Sequence, residues 1–317
     1  MRKIFVFAAF IILPAACPAQ YYWDFGVGLG ISNYLGEIGG SELTRRDFVS
    51  DMKLSQSRQS ANAFARYKLS NMFSVKASLS YITLRGADSL CANPARFYRN
   101  LNFRNYVWEG DIIAQFFFYE VNDLGHTYRY KDNFRAYVGL GAGGIYHNPK
   151  AYYKGEWVDL RPLQTEGHSY TKFAFVIPAS AGFYFTINKR YRIGWDICWR
   201  TAFTDYLDDA SSNYSEHPAG SLSGALSDRT NHAEADAYGA ANGSPGFGNN
   251  YGYGYWTDEN GNKRYNKRGD PTHNDSYITS NVEFSYVFRG KSSIYRSHYS
   301  SVFKGKKYKK RKVRAKF

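Results

Sequence analysis

Glu109 and Asp111 stand two residues apart, so in an extended segment their carboxylates point to one face, the placement a general acid and base would need. Asp205, Asp208 and Asp209 crowd together and offer the oxygen donors that calcium takes. Glu166 and His168, with the scattered His147, His217 and His232, supply proton-transfer groups. Context argues against chemistry in each case. Glu109 and Asp111 share their face with cations that can pair with them, which makes a structural role the expectation. The three aspartates follow a strand directly, where Asp side chains cap the strand end and the first loop turn. The histidines and Glu166 have no hydrolase or metal-site spacing and read as polar loop residues. Cys91 and Cys198 are the only cysteines beyond the N-terminal apolar run, one loop-like and one mid-strand, with no disulfide, zinc or redox spacing. No catalytic residue, metal or cofactor is expected.

The elements that carry these residues alternate strictly. From Ile193 the odd positions are Ile193, Trp195, Ile197, Trp199, Thr201 and Phe203, and the even ones Gly194, Asp196, Cys198, Arg200, Ala202 and Thr204. That is a strand with one greasy and one polar face. Eight such segments recur: Tyr22–Tyr34, Ser60–Leu69, Phe73–Leu84, Tyr106–Tyr119, Arg135–Tyr146, Lys172–Ile187, the Ile193 segment, and Tyr277–Phe288. Connections around Ser70, Asp123–Asn133 and Asn188–Arg190 are short or moderate, and the others are long or polar. Alternating short and long connections over an even number of two-faced strands predict an all-β fold: an eight-stranded antiparallel transmembrane β-barrel with long external loops. Its termini lie together on the short-turn, periplasmic side. The connection 208–274, rich in Gly, Asn, Ser and Tyr, is expected to be the most mobile. Pro178 interrupts a strand that has no free edge, so a bulge is expected there.

Composition fits this reading. The 317 residues include 23 Phe, 29 Tyr and 29 Gly, yet mean hydropathy is only -0.52. The N-terminus joins Arg2 and Lys3 to an apolar run and then to Cys17-Pro18-Ala19, the parts of an export signal cleaved after Ala19. Pro14 stands where lipid attachment at Cys17 would want Leu. No later apolar run approaches the roughly 20 residues of a spanning helix. The formal charge of +14 is unevenly placed: 11 basic and no acidic residues lie beyond Gly290, two more are in the signal, and the other 28 basic residues face 27 acidic ones. Residues 1–19 are thus read as signal, 20–289 as barrel and 290–317 as a flexible basic tail carrying Lys304, Lys306, Lys307, Lys309, Lys310, Arg311, Lys312, Arg314 and Lys316.

The polar face sets Arg66, Lys68, Lys76, Arg135 and Arg200 against Asp24, Glu109, Asp111, Asp196 and Glu283. Eight strands leave a lumen barely wide enough for side chains, so balanced charge predicts an interlocking ion-pair plug and not an open pore. The inward glycines of the first and fifth strands would make room for long Arg and Glu side chains.

Three motifs have a family likeness. Gly26–Gly40 (GVGLGISNYLGEIGG), Gly144–Gly167 (GIYHNPKAYYKGEWVDLRPLQTEG) and Thr204–Asp209 (TDYLDD) resemble the PorG-like outer-membrane barrels of Bacteroidetes that accompany the type IX secretion system, through nearly the whole mature body. The resemblance implies an integral outer-membrane protein that anchors or assembles a periplasmic ring of PorK/PorN-type proteins. It is wider than the secretion role, which leaves a paralogue with an adhesion or envelope-integrity role as the alternative. Besides lipid and ring proteins, the basic tail would attract anionic lipid or cell-wall polymer; export keeps it from nucleic acid.

Overall fold

The computed structural model describes residues 23–39, 52–91, 93–122, 124, 133–242, 254–258 and 260–288. The expected signal, residues 1–19, and the tail 290–317 with its basic run lie outside the described residues.

Eight long strands close into a barrel: β1 (Trp23–Leu35), β2 (Arg58–Lys68), β3 (Phe73–Ala87), β4 (Asn102–Asn122), β5 (Asn133–Tyr146), β8 (Phe173–Ile187), β9 (Tyr191–Ala202) and β12 (Ser276–Phe288). Every neighbour is antiparallel and consecutive around the wall, and β1 meets β12 from Trp23 opposite Phe288 to Leu35 opposite Ser276. Within the wall no strand edge remains open among the described residues. The other four strands form two hairpins beyond the wall: β6 (Lys150–Tyr153) with β7 (Glu156–Asp159), and β10 (Tyr255–Thr257) with β11 (Lys263–Tyr265). Among the described residues three short α-helices accompany them: α1 (Pro94–Arg99), α2 (Leu222–Ser227) and α3 (His232–Ala241). Among the described residues no helix is long and apolar enough to cross a membrane.

Turn chemistry sets the end that carries the first and last strands. Between β8 and β9 three residues, 188–190, turn the chain: Asn188 and Lys189 both adopt positive φ, 51° and 58°, a left-handed conformation that Asn tolerates well, and Arg190 N–H donates to the Ile187 carbonyl at 3.1 Å. Between β2 and β3 the Ser70 hydroxyl accepts from the backbone N–H of Phe73 at 3.0 Å. All long connections leave the opposite end, the cap end.

Two expectations about backbone are corrected. Pro178 carries no bulge: the β5–β8 register is the same on either side of it, Leu140 opposite Ala179 and Gly143 opposite Val176, while Pro178 pairs with Arg200 on β9. The missing N–H costs ladder positions on the β5 side only, so no extra residue is needed. The register shift lies instead in β4, between Phe117 and Tyr119 against β5. Phe118 is the extra residue, and it and Tyr119 both face outward.

The connection between β9 and β12 is packed over its described residues, while 243–253 and 259, part of the stretch expected to be most mobile, lie outside them. Leu207, Ala210, Tyr214, Leu226 and Ala235 are buried in it, the Ser221 hydroxyl caps α2 by accepting from Gly224 N–H, and Tyr98 of α1 meets Tyr238 of α3 at 5.4 Å between ring centroids. Leu207 and Ala210 join Ile82, Leu84, Phe103, Val107, Ile145, Val176 and Tyr277 in an apolar core that fills the cap end of the lumen.

Candidate functional site

The interior is built in layers. Nearest the turn end, Phe117, Tyr137 and Tyr184 form an aromatic cluster; the Arg66 guanidinium lies 5.0 Å from the Tyr184 ring centre and Arg192 lies 4.6 Å from it on its own approach. Arg66 donates to Asp24 at 3.2 Å and to Glu283 at 3.3 Å, and Arg192 donates to Asp24 at 2.6 Å. Lys76 reaches Glu283 and, at 3.6 Å, Asp196, which also accepts from the Tyr137 hydroxyl at 2.5 Å. One layer higher, Arg200 pairs with Glu109 at 2.6 Å, and the Tyr277 hydroxyl donates to the other Glu109 oxygen at 3.0 Å. Above that the interior is mainly apolar, with Ser32, Thr83 and Asn105 buried there too. Fully buried pairs survive in low dielectric only with such supporting hydrogen bonds, and each carboxylate named here meets at least two partners, a cation among them.

Eight of the ten sequence-assigned charges, Asp24, Arg66, Lys76, Glu109, Arg135, Asp196, Arg200 and Glu283, are buried in ion pairs. The other two differ from expectation. Asp111 is buried but receives a hydroxyl, from Ser78, and has no cation partner among the described residues. Lys68 sits half-buried at the turn end and makes no ion pair among them. Two partners escaped the sequence reading. Arg192 lies one step before the segment read as alternating, on the same inward face as Asp196. Glu120 pairs with Arg135 at 2.5 Å, and the Phe118 bulge hides it: strict alternation would put Glu120 outside, whereas the extra residue returns it to the face of Arg135. With these two the set is six cations and six anions.

The inward glycines serve shorter neighbours than expected. A Cβ on Gly26 would meet the Phe64 ring at 2.6 Å and one on Gly143 the Asp111 Cβ at 2.9 Å; only at Gly28 does a long charged side chain, Glu283, take up part of the room, its Cγ at 3.3 Å. Phe64, an inward aromatic, also lies 4.8 Å from the Lys76 ammonium.

At the cap end the three family-like motifs meet. Asp208 accepts from Ile38 N–H at 3.2 Å and from Ala210 N–H at 2.9 Å, and Asp209 accepts from the Thr165 and Tyr170 hydroxyls and from Arg268 at 3.2 Å. Glu166 takes Ser211 and Ser212 N–H, both at 2.9 Å, and Arg268 at 3.1 Å. Arg99 is bound to Asp88 at 2.7 Å. Asp205, Asp208 and Asp275 form no ion pair among the described residues. Burial, then Asp275, Glu37 and Asp208 nearby, pushes the Asp205 carboxyl up to about 10, and burial raises Asp208 to about 6. Asp275 is raised well above the carboxylate range by burial and by Asp208; the Tyr34 hydroxyl donates to it. Among the described residues no group of three or more His, Cys, Asp or Glu is disposed to hold a metal ion. Asp208 is a loop-turn cap and Asp209 part of the Arg268 knot.

The proton-transfer candidates do not converge. His147 is fully buried and held near 4 by burial and by Arg161, with its ring stacked on Tyr170. His217 bonds Ser215 at 2.9 Å, and the exposed His232 lies 3.1 Å from Asp228.

The outer wall is the reverse of the inside. Trp23, Phe25, Val27, Leu29 and Ile31 of β1, Ile112 of β4, Leu140 of β5, Phe173 and Phe175 of β8, and Val282 and Phe284 of β12 are all exposed. Trp195 is 42% exposed while its neighbour Asp196 is 3%. An apolar wall around a filled polar interior is the arrangement of barrels surrounded by lipid.

Among solved structures the chain is similar to the outer membrane protein OprG from Pseudomonas aeruginosa, at 9% identity over 86% of this chain and 98% of that one, with a TM-score of 0.38. Ail, the attachment invasion locus protein of Yersinia pestis, solved with the heparin analogue sucrose octasulfate, gives 9% identity, 84% and 98% coverage and a TM-score of 0.32. Neisserial surface protein A gives 7%, 85% and 97%, and 0.32. Likeness at this level adds nothing to the topology already described. No curated protein matches the sequence. The model of the family described as Domain of unknown function (DUF6089) matches residues 2–225, well over half of the 317, and the chain belongs to that family.

Proposed function

We propose that this chain is an integral outer-membrane protein that works as a closed scaffold and not as a pore. One observation carries the reading: Leu29 is 69% and Phe175 77% exposed on the wall, while Lys76, Glu109, Asp196 and Arg200 are buried and paired inside it. Refolding the full chain into lipid vesicles and recording across planar bilayers tests it. The expected result is insertion without stepwise conductance; steady single-channel steps would refute the closed lumen, and failure to insert would refute the membrane assignment.

Within that reading, the protein is a component of the type IX secretion machinery, anchoring or assembling the periplasmic ring with both termini periplasmic. The support is the resemblance carried by Gly26–Gly40, Gly144–Gly167 and Thr204–Asp209. Those motifs knit the cap end, which leaves the short turns and the basic residues beyond Gly290 as the surfaces for a ring partner or for anionic lipid or cell wall. Co-purification from outer membranes with mass spectrometry tests the partner, and deletion of Ser300–Phe317 tests the tail. Ring proteins should be recovered with the intact chain and released at lower salt from the truncated one, because exposed charges are screened beyond about 8 Å at physiological ionic strength. Recovery of no ring protein would leave the second reading, an adhesion or envelope-integrity role, which the built cap over the opposite end favours.

A further inference from the structure

The outer wall carries a trough where β4, β5 and β8 meet. Gly110 of β4 stands opposite Gly144 of β5, and Gly144 opposite Phe175 of β8. One step toward the cap, Trp108, Tyr146 and Phe173 form the next row across the same strands. Together Trp108, Gly144, Tyr146, Phe173 and Phe175 border an apolar groove of about 440 Å³. Phe173 and Phe175 are 71% and 77% exposed beside it.

These glycines differ from the inward ones. A Cβ on Gly143 would lie 2.8 Å from a backbone oxygen, so packing demands glycine there. A Cβ on Gly110 would meet nothing within 4 Å, and one on Gly144 only the Ala174 oxygen at 3.9 Å. Neither has positive φ. The barrel itself needs no glycine at either position; Gly144 lines the trough and Gly110 stands opposite it in the next strand.

A cation stands at its cap-side mouth. Lys172 precedes Phe173, and its ammonium lies 5.8 Å from the Tyr146 ring centre, on the outer side of the wall. Lys172 makes no ion pair among the described residues. An apolar trough walled by aromatic rings, with an uncompensated ammonium at the headgroup end, is complementary to an amphiphile with an apolar chain and an anionic head.

We propose that this groove binds one phosphate-bearing membrane lipid, with an acyl chain along Gly110 and Gly144 and the phosphate against Lys172. The inference rests on the membrane reading above. Trp108 reports on it: the full-length chain and its Trp108→Phe variant are refolded in phosphatidylcholine vesicles doped with phosphatidylglycerol or phosphatidylcholine carrying brominated chains, and the difference in emission isolates Trp108. Brominated phosphatidylglycerol should quench Trp108 at an about fivefold lower mole fraction than brominated phosphatidylcholine, the preference expected of one lysine near a membrane surface. Lys172→Gln should abolish the preference and Lys172→Arg keep it. Gly144→Leu, which has room to fold, should fill the trough and reduce quenching by both lipids. Equal quenching by the two lipids in the inserted wild type, or a preference that survives Lys172→Gln or Gly144→Leu, would overturn the proposal. Failure to insert at all would sink the membrane reading instead.

Discussion

Arg200 and Glu109 face each other across the barrel interior, Nε to Oε1 at 2.6 Å, although β8 and β5 separate their strands around the wall. Arg200 also donates to Thr279 Oγ1 at 2.6 Å, and the other Glu109 oxygen accepts from the Tyr277 hydroxyl at 3.0 Å. Arg200→Ala therefore strands a buried carboxylate and should destabilise the barrel by about 3–5 kcal/mol. Replacing both partners, Arg200→Met with Glu109→Leu, should recover most of that loss. Urea unfolding in lipid vesicles reads both, and a double variant as unstable as the single one would show that the pair is not the cause.

The wall prediction concerns Leu29, among the most exposed of the β1 side chains. In water, Leu29→Arg would be harmless. In a bilayer an outward Arg near the midplane costs about 2–4 kcal/mol. The same unfolding equilibrium should show that loss, while a neutral Leu29→Ala shows much less; equal effects would argue that Leu29 does not face lipid.

The β4 bulge makes a deletion informative. Removing Phe118 leaves Phe117 against Tyr137 and Tyr119 against Ala136, with no face exchanged, and keeps Glu120 on Arg135. Removing Ile113 instead turns every later β4 side chain to the wrong face. The Phe118 deletion should migrate as a folded barrel in unheated gels and the Ile113 deletion should not.

The cap should loosen as pH rises. Asp208 titrates at about 6 and Asp205 at about 10, both above the ordinary carboxylate value of 3.8. The folded cap thus holds protons that the unfolded segment has released, and its stability declines from about pH 4 upward through those two values. Arg99 and Arg268 stay charged throughout. Hydrogen exchange in 203–214, corrected for intrinsic rates, should show falling protection between pH 5 and 9, and Asp205→Asn should flatten the decline. Protection that rises with pH would contradict the arrangement.

Side-chain period made the wall legible. Trp195 and Asp196 alone distinguish outside from inside, and seven other segments repeat the pattern. The interior was legible only as charge. Ile82, Val107, Ile145 and Val176 occupy inward positions at the cap end, where an apolar residue on a nominally polar face looks like noise in the alternation. Glu120 was hidden because a one-residue bulge inverts parity without any sequence mark, whereas Pro178, which does leave a mark, changed nothing in the register. The cap depends on contacts such as Asp208 with Ile38, between residues far apart in the chain, and no local pattern announces those.

The seam between Trp23 and Phe288 also fixes an order of events. The hairpins of β2 with β3 and β8 with β9 need only near neighbours, but the barrel cannot shut until β12 has been synthesised and has travelled back to β1. Closing so long a loop is the slow, entropically opposed step. A chain in which β12 has not yet reached β1 therefore exposes one side of β1 as an unpaired edge with its row of Trp23, Phe25, Val27, Leu29 and Ile31, and that edge stays open until the last strand arrives.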